Sequence, residues 1–299
     1  MPEFVTLDGR RLEYAVSGRP DGRPVVLHHG MPGSASGPKP RPAVLYRAGI
    51  RLICYSRPGY GGSTRDPGRS VADAAEDVRA LADELGLDRF AVLGRSGGGP
   101  HALACAALLP DRVTRAAALV SFAPQGAIGL DWYRDMAASN QRAYAEASDR
   151  REGDLIEDRL RHRTDRMYHD PAFLLAELEP DMPGADRRVV ADPGIKRQLL
   201  ETYADAVRGG ADGWIDDLTA LSGDWGFAFG GIEVPVRLWH GAEDRFAPAS
   251  HTRWLAEHIS DATVEIEPGR AHFDALTVML DLMWWAVDVE ADAPELDAA

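Results

Sequence analysis

Phe90-Ala91-Val92-Leu93-Gly94-Arg95-Ser96-Gly97-Gly98-Gly99 is the stretch from which the fold can be read. Residues 90–93 are an apolar run of strand length, and a helix is predicted over 97–109, stopped by Pro110. Between them Gly94-Arg95-Ser96-Gly97-Gly98 fits the pattern of a nucleophile elbow, a tight strand-to-helix turn whose small residues let the backbone present a serine hydroxyl. Two other readings use the same residues: a glycine turn with an incidental serine, or a phosphate-binding loop. The second lacks the lysine that such a loop places after its glycines.

On either side of this stretch, short apolar runs alternate with helical patterns. Strands are predicted at 4–7, 12–17, 24–29, 51–56 and 116–122, and a helix at 70–85 carries Val71, Val78, Leu81 and Leu85 on one face. Ser70 and Asp73 stand in capping-box spacing at its start, and Gly86 follows its end. The alternation breaks over 125–231, where polar helical segments carry 21 acidic and 13 basic residues. One of them is clearly punctuated: Asp192 as N-cap, Pro193 at the first position, Ile195, Leu199 and Tyr203 on one face, then Gly209-Gly210. Strands resume at 234–240 and 263–266, with helices at 250–258 and from Phe273 onward.

This pattern predicts an α/β fold: a mostly parallel central sheet flanked by helices, with an inserted helical cap. The core comprises 1–124 and 232–287, the cap 125–231, and an acidic, alanine-rich tail at 288–299 is expected to be disordered. A tandem of two domains fits less well, because the second piece has too few strands for a sheet of its own.

The 299 residues carry a net charge of -14, and 31 of the 33 basic residues are arginine. That balance repels phosphate backbones and anionic lipid, so neither nucleic acid nor membrane is expected as a partner. Cys54 and Cys105 lie in apolar runs and read as buried free thiols in a reducing compartment. The chain starts without a basic segment followed by an apolar one, and the apolar 273–289 is interrupted by Asp274, Asp281 and Asp288. A cytoplasmic location is therefore expected. No Cys/His cluster has zinc spacing, so no metal and no cofactor are expected. The oligomeric state stays unassigned.

A serine hydroxyl needs a base to take its proton. Behind an elbow of this kind the partners follow in the order serine, acid, histidine, in loops after late strands. Asp244 follows the strand predicted at 234–240, and His272 follows the one at 263–266. Glu243 remains the alternative acid, and His272 has an alternative reading as a plain helix-start residue. His28, His29, His101 and His240 read as structural. The oxyanion donors expected are the N–H groups of Gly97 and of Met31, since Pro32 in His29-Gly30-Met31-Pro32-Gly33 has none.

With these motifs in their order, together with Tyr55-Ser56-Arg57-Pro58-Gly59-Tyr60-Gly61-Gly62-Ser63, the sequence resembles the α/β-hydrolase fold group of esterases, cofactor-free haloperoxidase/perhydrolases and proline iminopeptidases. The likeness covers nearly the whole chain except the cap. It implies a Ser96-Asp244-His272 triad and a small-molecule acyl substrate. Epoxide hydrolases and haloalkane dehalogenases of this fold need an aspartate nucleophile, which Ser96 argues against. Proline iminopeptidases usually have Trp-Gly after the nucleophile, where Gly97-Gly98-Gly99 stands here.

Arg95 is a candidate substrate contact, with an outward-facing or locally paired side chain as the alternative. Of the aromatic and aliphatic residues of the cap, Trp132 and Trp214 are the first candidates to touch substrate. An apolar roof suits a small, largely neutral ester, thioester or lactone. The resemblance thus implies a serine hydrolase; an acyltransferase using the same acyl-enzyme, or a non-catalytic small-ligand receptor, are the competing classes.

Overall fold

The computed structural model describes residues 1–148 and 153–287; the tail expected at 288–299 lies outside the described residues. The strands are β1 (Glu3–Val5), β2 (Arg11–Gly18), β3 (Arg23–His28), β4 (Ile50–Tyr55), β5 (Phe90–Arg95), β6 (Val113–Leu119), β7 (Val236–Gly241) and β8 (Ala262–Glu267). They form one sheet in the order β1-β2-β4-β3-β5-β6-β7-β8. The pairings β1–β2 and β2–β4 are antiparallel and the other five parallel.

Both faces of the sheet are covered over its inner strands β3 to β7, which is why these read as nearly continuous apolar runs while the edge strands β1 and β8 stay largely exposed. Val25, Leu27, Leu52, Cys54, Leu93, Leu119 and Trp239 pack on one side against α1 (Pro42–Arg47) and α11 (Ala275–Val287). Their neighbours Val26, Ile53, Val92, Ala118 and Leu238 face the other side, against α2 (Ala74–Glu84), α3 (Gly99–Leu108) and α10 (Ala249–His258). Cys54 and Cys105 belong to these opposite faces and are both free and buried.

Several element ends differ from the sequence pattern for local reasons. The first strand stops at Val5 because Thr6 and Gly9 close a turn, with Gly9 at φ 84. β6 runs earlier than 116–122: Val113 pairs with Phe90 across a register shift, and Val120 takes a φ of 44 that ends the strand. The carboxylate of Asp73 turns back to the N–H and hydroxyl of Ser70 at 2.6 and 2.8 Å, and the helix starts only at Ala74. Asp192 does cap α8 (Pro193–Ala206), accepting from the N–H groups of Gly194 and Ile195. The short α1 has Pro42 as its only sequence cue.

Between β6 and β7 the described residues hold no strand but six helices: α4 (Ala138–Ser148), α5 (Gly153–His169), α6 (Phe173–Leu178), α7 (Gly184–Val190), α8 and α9 (Asp212–Ser222). They share an apolar cluster in which Tyr144, Leu160, Leu199, Tyr203, Trp214 and Leu218 meet Phe122, Phe246 and Phe273 of the sheet layer's loops. A charged contact joins the same layers. Asp217 of α9, fully buried, accepts from Arg57 at 2.5 Å, Arg69 at 2.7 Å and the Tyr60 hydroxyl at 2.9 Å. Burial alone would raise the Asp217 carboxyl, but the two guanidinium groups outweigh it and hold it far below the usual carboxylate range.

Removing one member of a buried ion pair strands the other charges in low dielectric. Asp217→Ala should therefore lower the unfolding free energy by about 3–5 kcal/mol in urea denaturation; a loss under about 1 kcal/mol would contradict this account.

Candidate active site

Ser96 directly follows β5 at a φ of 55, a left-handed conformation rare for a residue with a side chain. The glycines around it are required by close approaches. A Cβ on Gly94 would collide with the carbonyl of Gly98, and one on Gly98 with the carbonyls of His28 and His29. β5 lies between β3 and β6, where the strand order changes direction, so the loops after β3 and β5 open a crevice at the carboxyl ends of the sheet. Ser96, at 8% exposure, faces that crevice.

His272, in the loop after β8, lines the same cavity and donates its Nδ1–H to Asp244 Oδ2 at 2.8 Å. The other carboxylate oxygen accepts the N–H groups of Phe246 and Ala247 at 2.7 and 3.0 Å. Burial pushes the Asp244 carboxyl up, but His272 and His240 outweigh it, and the group stays ionised well below the usual carboxylate range. Glu243 is exposed and does not reach the ring. His240 is held by Thr252 and Ala247, with Nε2 3.2 Å from Asp244 Oδ2. With Nδ1 committed to Asp244, His272 keeps the lone pair of Nε2 for a hydroxyl proton.

The loop after β3 brings Met31 against Gly97: a Cβ on Gly97 would lie 2.9 Å from Met31 Cβ and 3.6 Å from Met31 N. Among the described residues the Met31 N–H makes no hydrogen bond. The loop is braced from behind. Arg57 donates to the carbonyls of His29 and Gly30 at 2.6 and 3.3 Å, and its own N–H donates to His29 Nε2 at 3.1 Å. His29 Nδ1–H in turn meets the Gly30 carbonyl at 2.7 Å. Burial and the charge of Arg57 keep His29 neutral, its pKa far below the ordinary histidine value. His101 holds the Gly97 carbonyl at 2.8 Å, and burial with the charge of Arg57 lowers it to about 3.

The helical layer roofs this cavity with Asn140, Tyr144, Leu160, Leu174, Tyr203 and Trp214. Trp214 is thus in the lining, and so is Arg95. Trp132 is not. It is 4% exposed, its indole N–H is committed to the Ala123 carbonyl at 2.8 Å, and its ring backs Phe122 and Tyr144, which do line the cavity.

Some groups near the chemistry carry no sequence signal. Tyr203 was legible only as a helix-face residue. Asp186 of α7 is fully buried and accepts the N–H of Phe273, next to His272, at 2.7 Å. Its isolation in sequence from His272 hides that contact.

A family model described as alpha/beta hydrolase fold matches residues 23–277, and the chain belongs to that family. Hydrolase is the activity class that this membership supports. The chain is 27% identical over 291 residues to the bifunctional esterase/perhydrolase DCH of Acinetobacter calcoaceticus, covering 95% of this chain and 98% of that protein. It is 28% identical over 277 residues to the non-heme chloroperoxidase of Streptomyces lividans, covering 91% and 93%. The enol-lactonase from Burkholderia xenovorans LB400 has the same fold, with a TM-score of 0.69 at 20% identity over 97% of this chain and 100% of that one. Among the described residues no helix is long and apolar enough to cross a membrane.

Asp186 makes the site's surroundings sensitive to pH. Burial, opposed by His272 and the Phe273 N–H, raises its carboxyl from 3.8 to about 7. The folded state then binds a proton that the unfolded chain has released, so Asp186 should contribute a downward slope of stability from about pH 4 to about 7, alongside a like contribution from Asp77 and an opposing one from the buried His251. Asp186→Asn keeps the acceptor for Phe273 and should flatten that slope, read as urea midpoints across the window; an unchanged slope would rule Asp186 out as its source.

Proposed function

We propose that the protein is a serine hydrolase that cleaves a carboxylic ester, thioester or lactone through an acyl-enzyme on Ser96. The observation that carries this reading is the buried, ionised Asp244 holding the His272 ring in a cavity that Ser96 enters at the tip of its turn. His272 Nε2 takes the Ser96 proton as Oγ attacks the substrate carbonyl, and Asp244 stabilises the imidazolium. The N–H groups of Met31 and Gly97 receive the oxyanion. Collapse expels the leaving group with the proton from His272. Water, activated by the same ring, then attacks the acyl carbon and releases the acid. These steps need no cofactor.

The helical layer over 125–231 acts as a cap that sets specificity. Its apolar side chains, with Phe122 and Phe246 beneath, suit a short to medium acyl group.

A fluorophosphonate probe followed by peptide mapping should label Ser96, and Ser96→Ala should abolish labelling. Labelling of a different serine would sink the assignment. His272→Ala and Asp244→Asn should each cut ester turnover by roughly 10⁴-fold. Combined with Ser96→Ala their effects should be far from additive, because the three groups act as one unit.

The two tryptophans separate in what they control. Trp214→Ala should shift the preferred acyl length toward longer chains in a p-nitrophenyl ester series. Trp132→Ala should instead cost about 3–5 kcal/mol of stability, as loss of a packed indole does. A Trp214→Ala variant with the wild-type ranking would take that residue out of the substrate pocket.

A further inference from the structure

Arg95, the last residue of β5 and the one before Ser96, is only 7% exposed, yet among the described residues its guanidinium has no ion pair and no hydrogen bond. The other buried arginines each hold a protein acceptor: Arg57 and Arg69 share Asp217, although Arg69 Nε is left without a partner, and Arg115 donates to the carbonyl of Trp285. A guanidinium taken out of water without an acceptor is costly, and it cannot shed its proton at physiological pH. Such a group persists where an acceptor arrives from outside.

The cavity shows where that acceptor would sit. Arg95 lines it beside Ser96 and His272, and no carboxylate is among the lining residues. The other cation there, Arg163, is already paired with Glu177 at 2.9 Å. Tyr203 faces the same space at 4% exposure, and its hydroxyl too lacks a partner among the described residues. Arg95 and Tyr203 are close enough to feel each other electrostatically, and Asp244 and Asp186 also attract the guanidinium from outside the lining without pairing with it. Gly30 leaves room for the guanidinium, since a Cβ there would lie 2.9 Å from Arg95 Nη2. That places the charge beside the oxyanion loop. On its other side Arg95 borders a crevice behind that loop.

We infer that Arg95 and Tyr203 form a subsite for a carboxylate carried by the substrate, so that the substrate class is an ester or lactone with one free carboxylate on an otherwise apolar body. This rests on the serine hydrolase reading and narrows it, replacing the neutral substrate that the apolar roof alone suggests. A single guanidinium fork with one hydroxyl matches a planar monoanion; a phosphate dianion would leave charge unbalanced in an apolar cavity.

The test compares esters that differ in one charge. In the first pair, p-nitrophenyl hydrogen glutarate carries a carboxylate on the acyl side where p-nitrophenyl pentanoate ends in a methyl group. In the second, 4-acetoxybenzoate and its methyl ester put the difference on the leaving group. Wild type should prefer the charged member of one pair in kcat/KM, and the pair that responds locates the subsite. Arg95→Met should lower that preference roughly ten- to a hundredfold, Arg95→Lys should retain part of it, and Tyr203→Phe should lower it severalfold. Arg95→Met should also raise the thermal midpoint, because an unpaired buried cation is removed; a structural arginine would lower it.

Should the Arg95 variants not fold, wild type alone decides. Free pentanoate, a monoanion, at millimolar concentration should slow fluorophosphonate labelling of Ser96, and neutral pentanamide should not. Equal handling of both ester pairs with normal Ser96 labelling, or protection by inorganic phosphate stronger than by pentanoate, overturns the carboxylate subsite and leaves the hydrolase reading standing. Absence of Ser96 labelling removes the hydrolase reading itself.

Discussion

Asp217 ties the two layers of this protein together at the point where they must agree. It projects from a helix of the roof into a loop of the sheet layer, and the arginine it holds most tightly is also the one that grips the carbonyls of His29 and Gly30. The loop after β3 and the roof are thereby one mechanical unit. A buried ion cluster of this kind contributes little net stability against a well-packed apolar substitute. Its directional donors and acceptors do restrict the layers to one relative placement.

On the other side of the crevice the constraint is steric. Ser96 sits in a backbone region that costs of order 1–3 kcal/mol, and the surrounding sheet holds it there. Gly94 and Gly98 are what permit this, because the elbow presses directly on its own helix and on the end of β3. Packing energy from a sheet covered on both faces thus maintains a turn that would relax in isolation.

The electrostatics of the cavity run against those of the whole chain. The net charge is -14, yet the cavity lining holds two arginines and no acid. The nearest acids are all placed behind that lining: Asp244 under the His272 ring, Asp217 under the loop after β3, Asp186 against the backbone of Phe273. Surface charge governs solubility and encounter over distances that salt screens, whereas a buried lining acts at contact range.

The sequence by itself determined what depends on neighbours along the chain. The strand, turn and helix around Ser96, the interrupted alternation at 125–231, the cap at Asp192 and the loops carrying Asp244 and His272 are all encoded in runs of a few residues, where periodicity, glycine and proline act directly on the backbone. The tertiary structure alone decided which distant groups meet. Asp217 and Arg57 are 160 positions apart, and Asp186 and Phe273 are 87 apart. Trp132 and Trp214 look alike in sequence, but one backs the cavity and the other lines it. Arg95 reads as a candidate contact from its place before the serine, with an outward-facing side chain as the alternative, and Tyr203 only as a helix-face residue; nothing in the sequence pairs them. Whether a polar group is satisfied depends on every element packed around it, and that is fixed only when the roof closes on the sheet.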